Sequence, residues 1–72
     1  MEREIIEIRH ISILIKEKRI KIGLSQSTLS LIAEVDRSWI NRYENHKIER
    51  PNLETVMKLL DALQIKLILT QT

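Results

Sequence analysis

The chain of 72 residues contains no cysteine, no phenylalanine, one glycine and one proline. Without cysteine there is no disulfide framework and no thiolate metal site, and the redox compartment stays open. A core this small then has oligomerisation as its remaining support. One Gly and one Pro leave the chain nearly unpunctuated, and with a single Trp and a single Tyr the apolar set is almost entirely aliphatic and dominated by Ile and Leu, a composition that favours packed helices. No apolar run approaches the roughly eighteen residues that span a bilayer. The opening MEREIIEIRH carries acids where a signal peptide would carry bases, so a cytoplasmic protein with no membrane partner is expected. His10 and His46 are isolated, the carboxylates are scattered and no Gly-rich phosphate loop is present. Neither an enzyme nor a metal or cofactor site is expected from such a set.

The net charge of +2 and a sequence pI near 9.2 are compatible with nucleic acid, but the distribution says more than the sum. Acids cluster at Glu2, Glu4 and Glu7, whereas Arg37, Arg42, Lys47 and Arg50 fall in one central stretch, interleaved with Asp36, Glu44 and Glu49.

No repeat, linker or low-complexity tract divides the chain, so residues 1–72 read as one all-α domain of four or five helices with a short C-terminal β-strand. The first helix is expected over about Ile11 to Ile22, with Ile11, Leu14, Ile15 and Ile22 inward and Gly23 as its left-handed cap. Ser25 caps a second helix over Gln26 to Ala33, whose inward residues are Leu29, Ile32 and Ala33. After a short turn at Glu34-Val35, Asp36 caps a third helix to about Asn45; the two helices must cross steeply, as in a helix-turn-helix over about 25–45. Pro51 stops the chain, and Asn52 caps a fourth helix with the stripe Leu53, Val56, Met57, Leu60 and Leu63. From Gln64 the alternation of Ile65, Leu67 and Leu69 suggests a strand over about 64–71, with helix continuation as the competitor. A lone strand needs a partner, and its copy in a second subunit is the natural one, so a homodimer through Ile65, Leu67 and Leu69 is expected. The alternative is a tail packed on its own domain.

On a helical wheel the third helix places Arg37, Ser38, Asn41 and Arg42 in one polar arc, with Ile40 and Tyr43 facing the domain. Arg suits guanine, Asn suits adenine and Ser suits either, so this arc holds the candidate base-reading side chains for a major groove. Ser25 and Gln26, where the preceding helix opens, are candidate phosphate contacts beside free backbone N–H groups. Trp39 lies at the border of the polar and apolar arcs, poised between core packing and a phosphate contact through its indole N–H. Lys47 and Arg50 in the following loop suit sequence-independent phosphate contacts.

The stretch KRIKIGLSQSTLSLIAEVDRSWINRYENHKIERP, from Lys18 to Pro51, resembles the helix-turn-helix core of phage repressors and Xre-type regulators. The likeness rests on Arg19 before Gly23-Leu24, Gln26 opening the second helix, Ala33 within it, Ile40 in the third, and Glu44-Asn45 at its end. Extended through LETVMKLLDALQIKLIL, the pattern is similar to HipB-like antitoxins, which dimerise through a C-terminal strand. The resemblance implies a lambda-repressor-like bundle with Arg37, Ser38 and Arg42 reading bases. It also implies that Gln26 and Asn45 grip phosphates and that Arg19 and Glu44 form a buried ion pair. Two turn positions depart from the family pattern: Glu34 and His46 stand where Gly is usual, and a left-handed backbone there costs roughly 1 kcal/mol.

The function implied is that of a DNA-binding transcriptional repressor. A two-fold dimer would set two copies of the third helix in successive major grooves of an inverted-repeat operator. The HipB-like resemblance adds a HipA-like kinase toxin as partner. The competing reading is a protein-interaction module that neutralises a partner with little DNA binding. The Ile-rich segment from Glu2 to His10 either covers the core or presents an apolar surface to that partner.

Overall fold

The computed structural model describes residues 8–66. Among them stand four helices: α1 (Ile8–Lys21), α2 (Gln26–Ala33), α3 (Arg37–Glu44) and α4 (Leu53–Ala62). The α2 helix packs on α3 and α4, and α1 packs on α3. The core they enclose is aliphatic apart from one ring: Ile15 from α1, Leu29 and Ala33 from α2, Ile40 and Tyr43 from α3, and Val56, Leu59 and Leu60 from α4. Leu63 closes it after α4, and Val35 in the turn between α2 and α3 is buried with it.

Local sequence signals set the helix starts. Ser25 caps α2 by accepting the Thr28 N–H at 3.0 Å, and Asn52 caps α4 by accepting the Thr55 N–H at 3.1 Å. Asp36 occupies the cap position of α3 but makes no side-chain cap bond. Its carboxylate instead accepts the Ser38 hydroxyl, while its carbonyl takes up the Trp39 and Ile40 N–H groups. That contact holds the Asp36 carboxyl below its ordinary range, chiefly through the Ser38 hydrogen bond.

The four helix ends share one device. Gly23, Glu34, His46 and Gln64 all adopt the left-handed conformation, with φ of 79°, 59°, 60° and 59°. At α1 the Leu24 N–H reaches the Arg19 carbonyl (2.9 Å) and the Gly23 N–H reaches Ile20 (3.0 Å), a Schellman motif. Lys47 to Arg42 with His46 to Tyr43, and Ile65 to Leu60 with Gln64 to Asp61, repeat it at α3 and α4. At α2 the Val35 N–H bonds the Ser30 carbonyl while the Ser30 hydroxyl donates back to the Val35 carbonyl, locking the turn into α3.

Several expected inward residues face out. Ile32 is 54 % exposed. At about 100° per residue the buried arc of α2 lies between Leu29 and Ala33 and is rotated toward Gln26, away from Ile32. On α4, Leu53 is 70 % and Met57 47 % exposed, because Val56, Leu59, Leu60 and Leu63 define a stripe to one side of both. On α1, Ile15 is buried and Ile11 packs against the core, whereas Leu14, on the side of α1 turned away from Ile15, and Ile22, past the helix end, are exposed. The first helix begins earlier than expected, at Ile8, and α3 ends one residue sooner, with Asn45 as its C-cap.

The expected C-terminal strand finds no support among the described residues. Gln64 and Ile65 terminate α4 instead, and Ile65 packs against its own core. The reason is local: once the Leu60 and Asp61 carbonyls are taken up by a left-handed cap, residues 64 and 65 cannot offer extended backbone. Leu67 and Leu69 lie outside the described residues, as does the segment from Glu2 to Glu7.

Two outcomes are expected. Glu34→Gly removes a side chain from an exposed left-handed position and should raise stability by about 1 kcal/mol, or about 4–8 °C in melting temperature. Gly23→Ala should lower it by a similar amount for backbone reasons alone, since a Cβ at Gly23 meets nothing within 4 Å. Thermal melts of both variants check the pair of signs. Burial pushes the Tyr43 phenol up from the ordinary tyrosine value, and its hydroxyl has no hydrogen-bond partner among the described residues. Because the folded value is raised, the associated stability is intact below about pH 10 and declines as pH rises further. In an alkaline titration, phenolate absorbance should appear only as the helical signal is lost; ionisation at the ordinary value in a folded chain would contradict it.

Candidate nucleic-acid interface

A buried ion pair lies at the base of this surface. The Glu44 carboxylate is buried at the end of α3 and meets the Arg19 guanidinium of α1 edge to edge: Nε to Oε2 at 2.8 Å and Nη2 to Oε1 at 2.9 Å. Arg19 Nη1 also donates to the Leu24 carbonyl at 2.7 Å, in the turn that leads into α2. The pair is bidentate, so it sets angle as well as distance between α1 and α3.

Gln26, the first residue of α2, joins the same carboxylate, its Nε2 donating to Glu44 Oε1 at 3.0 Å. Its Oε1 in turn accepts from Asn41 Nδ2 at 3.2 Å. Asn45 Nδ2 donates to the Asn41 carbonyl at 2.8 Å and lies 3.4 Å from Asn41 Oδ1. These bonds tie the opening of α2 to the exposed face of α3.

Around this chain of bonds the sequence-derived candidates fall into four groups. Arg37, Ser38 and Arg42 are exposed on α3. The Ser38 hydroxyl donates to the Asp36 carboxylate, and Arg42 Nε reaches the Ser38 carbonyl at 3.3 Å, leaving the outer guanidinium nitrogens unengaged among the described residues. Asn41 and Gln26 share the surface but spend part of their amides on each other and on Glu44. Ser25 is exposed and spends its hydroxyl on its capping role, donating to Thr28 Oγ1 at 3.0 Å as well. Lys47 and Arg50 are exposed in the loop after α3.

Trp39 is half buried. Its ring stacks on Tyr43 with centroids 4.9 Å apart and planes 30° off parallel, and it borders a shallow hollow with Val35, Thr55 and Lys58. Its packing against the core is therefore realised, with one edge left at the surface. His46 is exposed, yet its Nδ1 lies 3.2 Å from the Oγ of Ser12, a buried residue of α1.

Sequence reasoning missed the bonds from Gln26 to Glu44 and from His46 to Ser12. No periodicity joins residues that far apart in the chain, so no spacing signalled them. Among the described residues no group of His, Asp and Glu is arranged to hold a metal ion, and no helix is long and apolar enough to cross a membrane.

Removing one partner of a buried pair leaves an uncompensated charge, which costs about 3–5 kcal/mol. Such a loss is comparable with the whole stability of a domain this size, on the order of 5 kcal/mol. Glu44→Gln should therefore largely unfold the chain, while Arg19→Met combined with Glu44→Leu should recover most of the loss. Denaturant titrations decide: a cost under about 1 kcal/mol for Glu44→Gln would class the pair with exposed ones.

The chain matches a helix-turn-helix family model over residues 15–69. Among solved structures it is similar to a chain of the HipA-HipB-O2-O3 complex, at 24% identity and a TM-score of 0.82, covering 99% of each chain. It is similar also to the HipB-O4 20mer complex, at 23% identity, a TM-score of 0.82 and 97% of each chain. The restriction-modification controller protein C.AhdI from Aeromonas hydrophila is 30% identical with a TM-score of 0.73, over 82% of this chain and 88% of that one. None of the curated proteins matches. A crossing of α2 and α3 locked by Ser30, an exposed polar face on α3 and a family match over most of the sequence agree: this chain belongs to the Xre-type helix-turn-helix family of DNA-binding domains.

Proposed function

We propose that the chain is a sequence-specific transcriptional repressor that binds an inverted-repeat operator as a homodimer and acts as the antitoxin of a HipA-like kinase toxin. One observation carries the DNA-reading part: the exposed arc of Arg37, Ser38 and Arg42 is joined to the opening of α2 through the bond from Asn41 to Gln26. A reading helix and a backbone-gripping helix end thereby form one rigid surface that suits a single duplex.

On that surface Arg37 and Arg42 offer bidentate donors to guanine. Ser38, whose hydroxyl donates to the Asp36 carboxylate, acts toward a base as an acceptor, which suits the amino groups of adenine or cytosine. Gln26, Asn45, Lys47 and Arg50 take the flanking phosphates, joined by the free N–H groups of the first turn of α2 and the indole of Trp39.

The homodimer is supported by apolar surface at the end of the described chain. Leu14 on one side of Ile65 and Met57 on the other stand exposed, and a second copy would bury them. The antitoxin role is supported by the likeness to HipB, solved with HipA and with a 20mer. The identity to C.AhdI supports a second reading, a controller that regulates transcription without a toxin.

Selection from a pool of random duplexes at two salt concentrations should enrich an inverted repeat that survives the higher salt. Weak, salt-erased binding without enrichment would leave protein neutralisation as the function. On the enriched site Arg37→Ala or Arg42→Ala should cost about 1–3 kcal/mol and relax preference at one position, whereas Lys47→Ala and Arg50→Ala should weaken every duplex alike and lower the salt slope by about 1 each. Uniform losses for the first pair would remove their base-reading role. Tighter retention of the repeat when a HipA-like kinase is added separates the antitoxin from a controller that works alone.

A further inference from the structure

The amides on the candidate interface are oriented by a charge that Gln26 alone of the three touches directly. Glu44 is buried and ionised in a bidentate pair with Arg19. A carboxylate accepts hydrogen bonds and cannot donate them, so the amide end that Gln26 turns toward it must be the nitrogen. The Gln26 oxygen then faces Asn41, which must answer with its own nitrogen. The Asn41 oxygen is left toward Asn45, which again answers with nitrogen. Donors point the same way at every step, from the surface toward the carboxylate, and chains of this kind reinforce themselves.

Resting on the DNA-binding reading above, we infer that Asn41 is a positioning residue rather than a base reader: through the Asn41-to-Gln26-to-Glu44 relay it holds the Gln26 amide with its second N–H presented to a DNA phosphate. Asn41 was expected to pair with adenine at two points, which needs its amide nitrogen and oxygen together on one base edge. Here both atoms already have partners within the protein. Gln26 keeps one amide proton beyond the one given to Glu44, beside the free N–H groups where α2 begins. Its oxygen is anchored by Asn41, so the amide cannot turn over and present an acceptor to a phosphate.

The test compares the full chain with Asn41→Ala, Gln26→Ala and the double variant on the selected duplex and on a scrambled one. Asn41→Ala should weaken both duplexes alike, by about threefold to tenfold, the scale of one hydrogen bond. The double variant should be no weaker than Gln26→Ala alone, and the salt slope should not move because neither side chain is charged. Without DNA, the two side-chain amide proton resonances of Gln26 should be widely separated in the parent and draw together in Asn41→Ala at an unchanged unfolding midpoint. A loss confined to the selected duplex, or losses that multiply in the double variant, would overturn the inference and return Asn41 to base reading. If the parent binds selectively but Gln26→Ala changes nothing, the inference falls alone. Should the parent retain no duplex at all, the DNA-binding reading falls and this inference with it.

Discussion

The bidentate contact between Arg19 and Glu44 is the constraint on which the arrangement depends. It joins α1 to the end of α3, reaches the Leu24 carbonyl in the first turn, and through Gln26 fixes where α2 begins. Desolvating both charges offsets much of their attraction, so its main effect is specification of geometry rather than net stability. The aliphatic core by itself could tolerate small slides of one helix on another. A planar guanidinium facing a planar carboxylate tolerates far less, and three helices inherit that precision.

The surface above the pair draws its rigidity from the same source. An amide on an exposed helix would ordinarily sample both orientations, but the fixed negative end at Glu44 gives the amides of Gln26, Asn41 and Asn45 a common direction. Rigid donors lose less freedom when a ligand arrives, which is how preorganisation adds to affinity. Arg37 and Arg42 lie outside the relay, exposed on α3.

The same small domain carries visible costs. Three of its four left-handed helix ends lack glycine, and Leu31, Ile32 and Leu53 remain exposed because four short helices cannot cover every apolar side chain. The left-handed cap at Glu34 nevertheless turns the chain from α2 into α3 within three residues. That brevity keeps α2 and α3 packed on each other, with Ser30 and Val35 closing the corner.

Much of this was legible in the sequence because it is local. Ser25 and Asn52 as caps, Gly23 as a left-handed stop, the span of α2 and the polar arc of α3 all depend on residues within a turn or two of each other. The pairing of Arg19 with Glu44 was legible only through resemblance, since nothing local joins residues of separate helices. What the tertiary structure alone decided is which flank of each amphipathic helix faces inward, and where the polar atoms go. Ile32, Leu53 and Met57 fit their apolar stripes by spacing, yet α2 is turned so that Gln26 meets Glu44, and α4 packs through Leu59 instead. Gln64 and Ile65 alternate like a strand but close a helix, because the Leu60 and Asp61 carbonyls needed partners at once. Periodicity states which residues share a face; only the packing of one helix on another, and the pairing of buried charges such as Glu44, states which way that face turns.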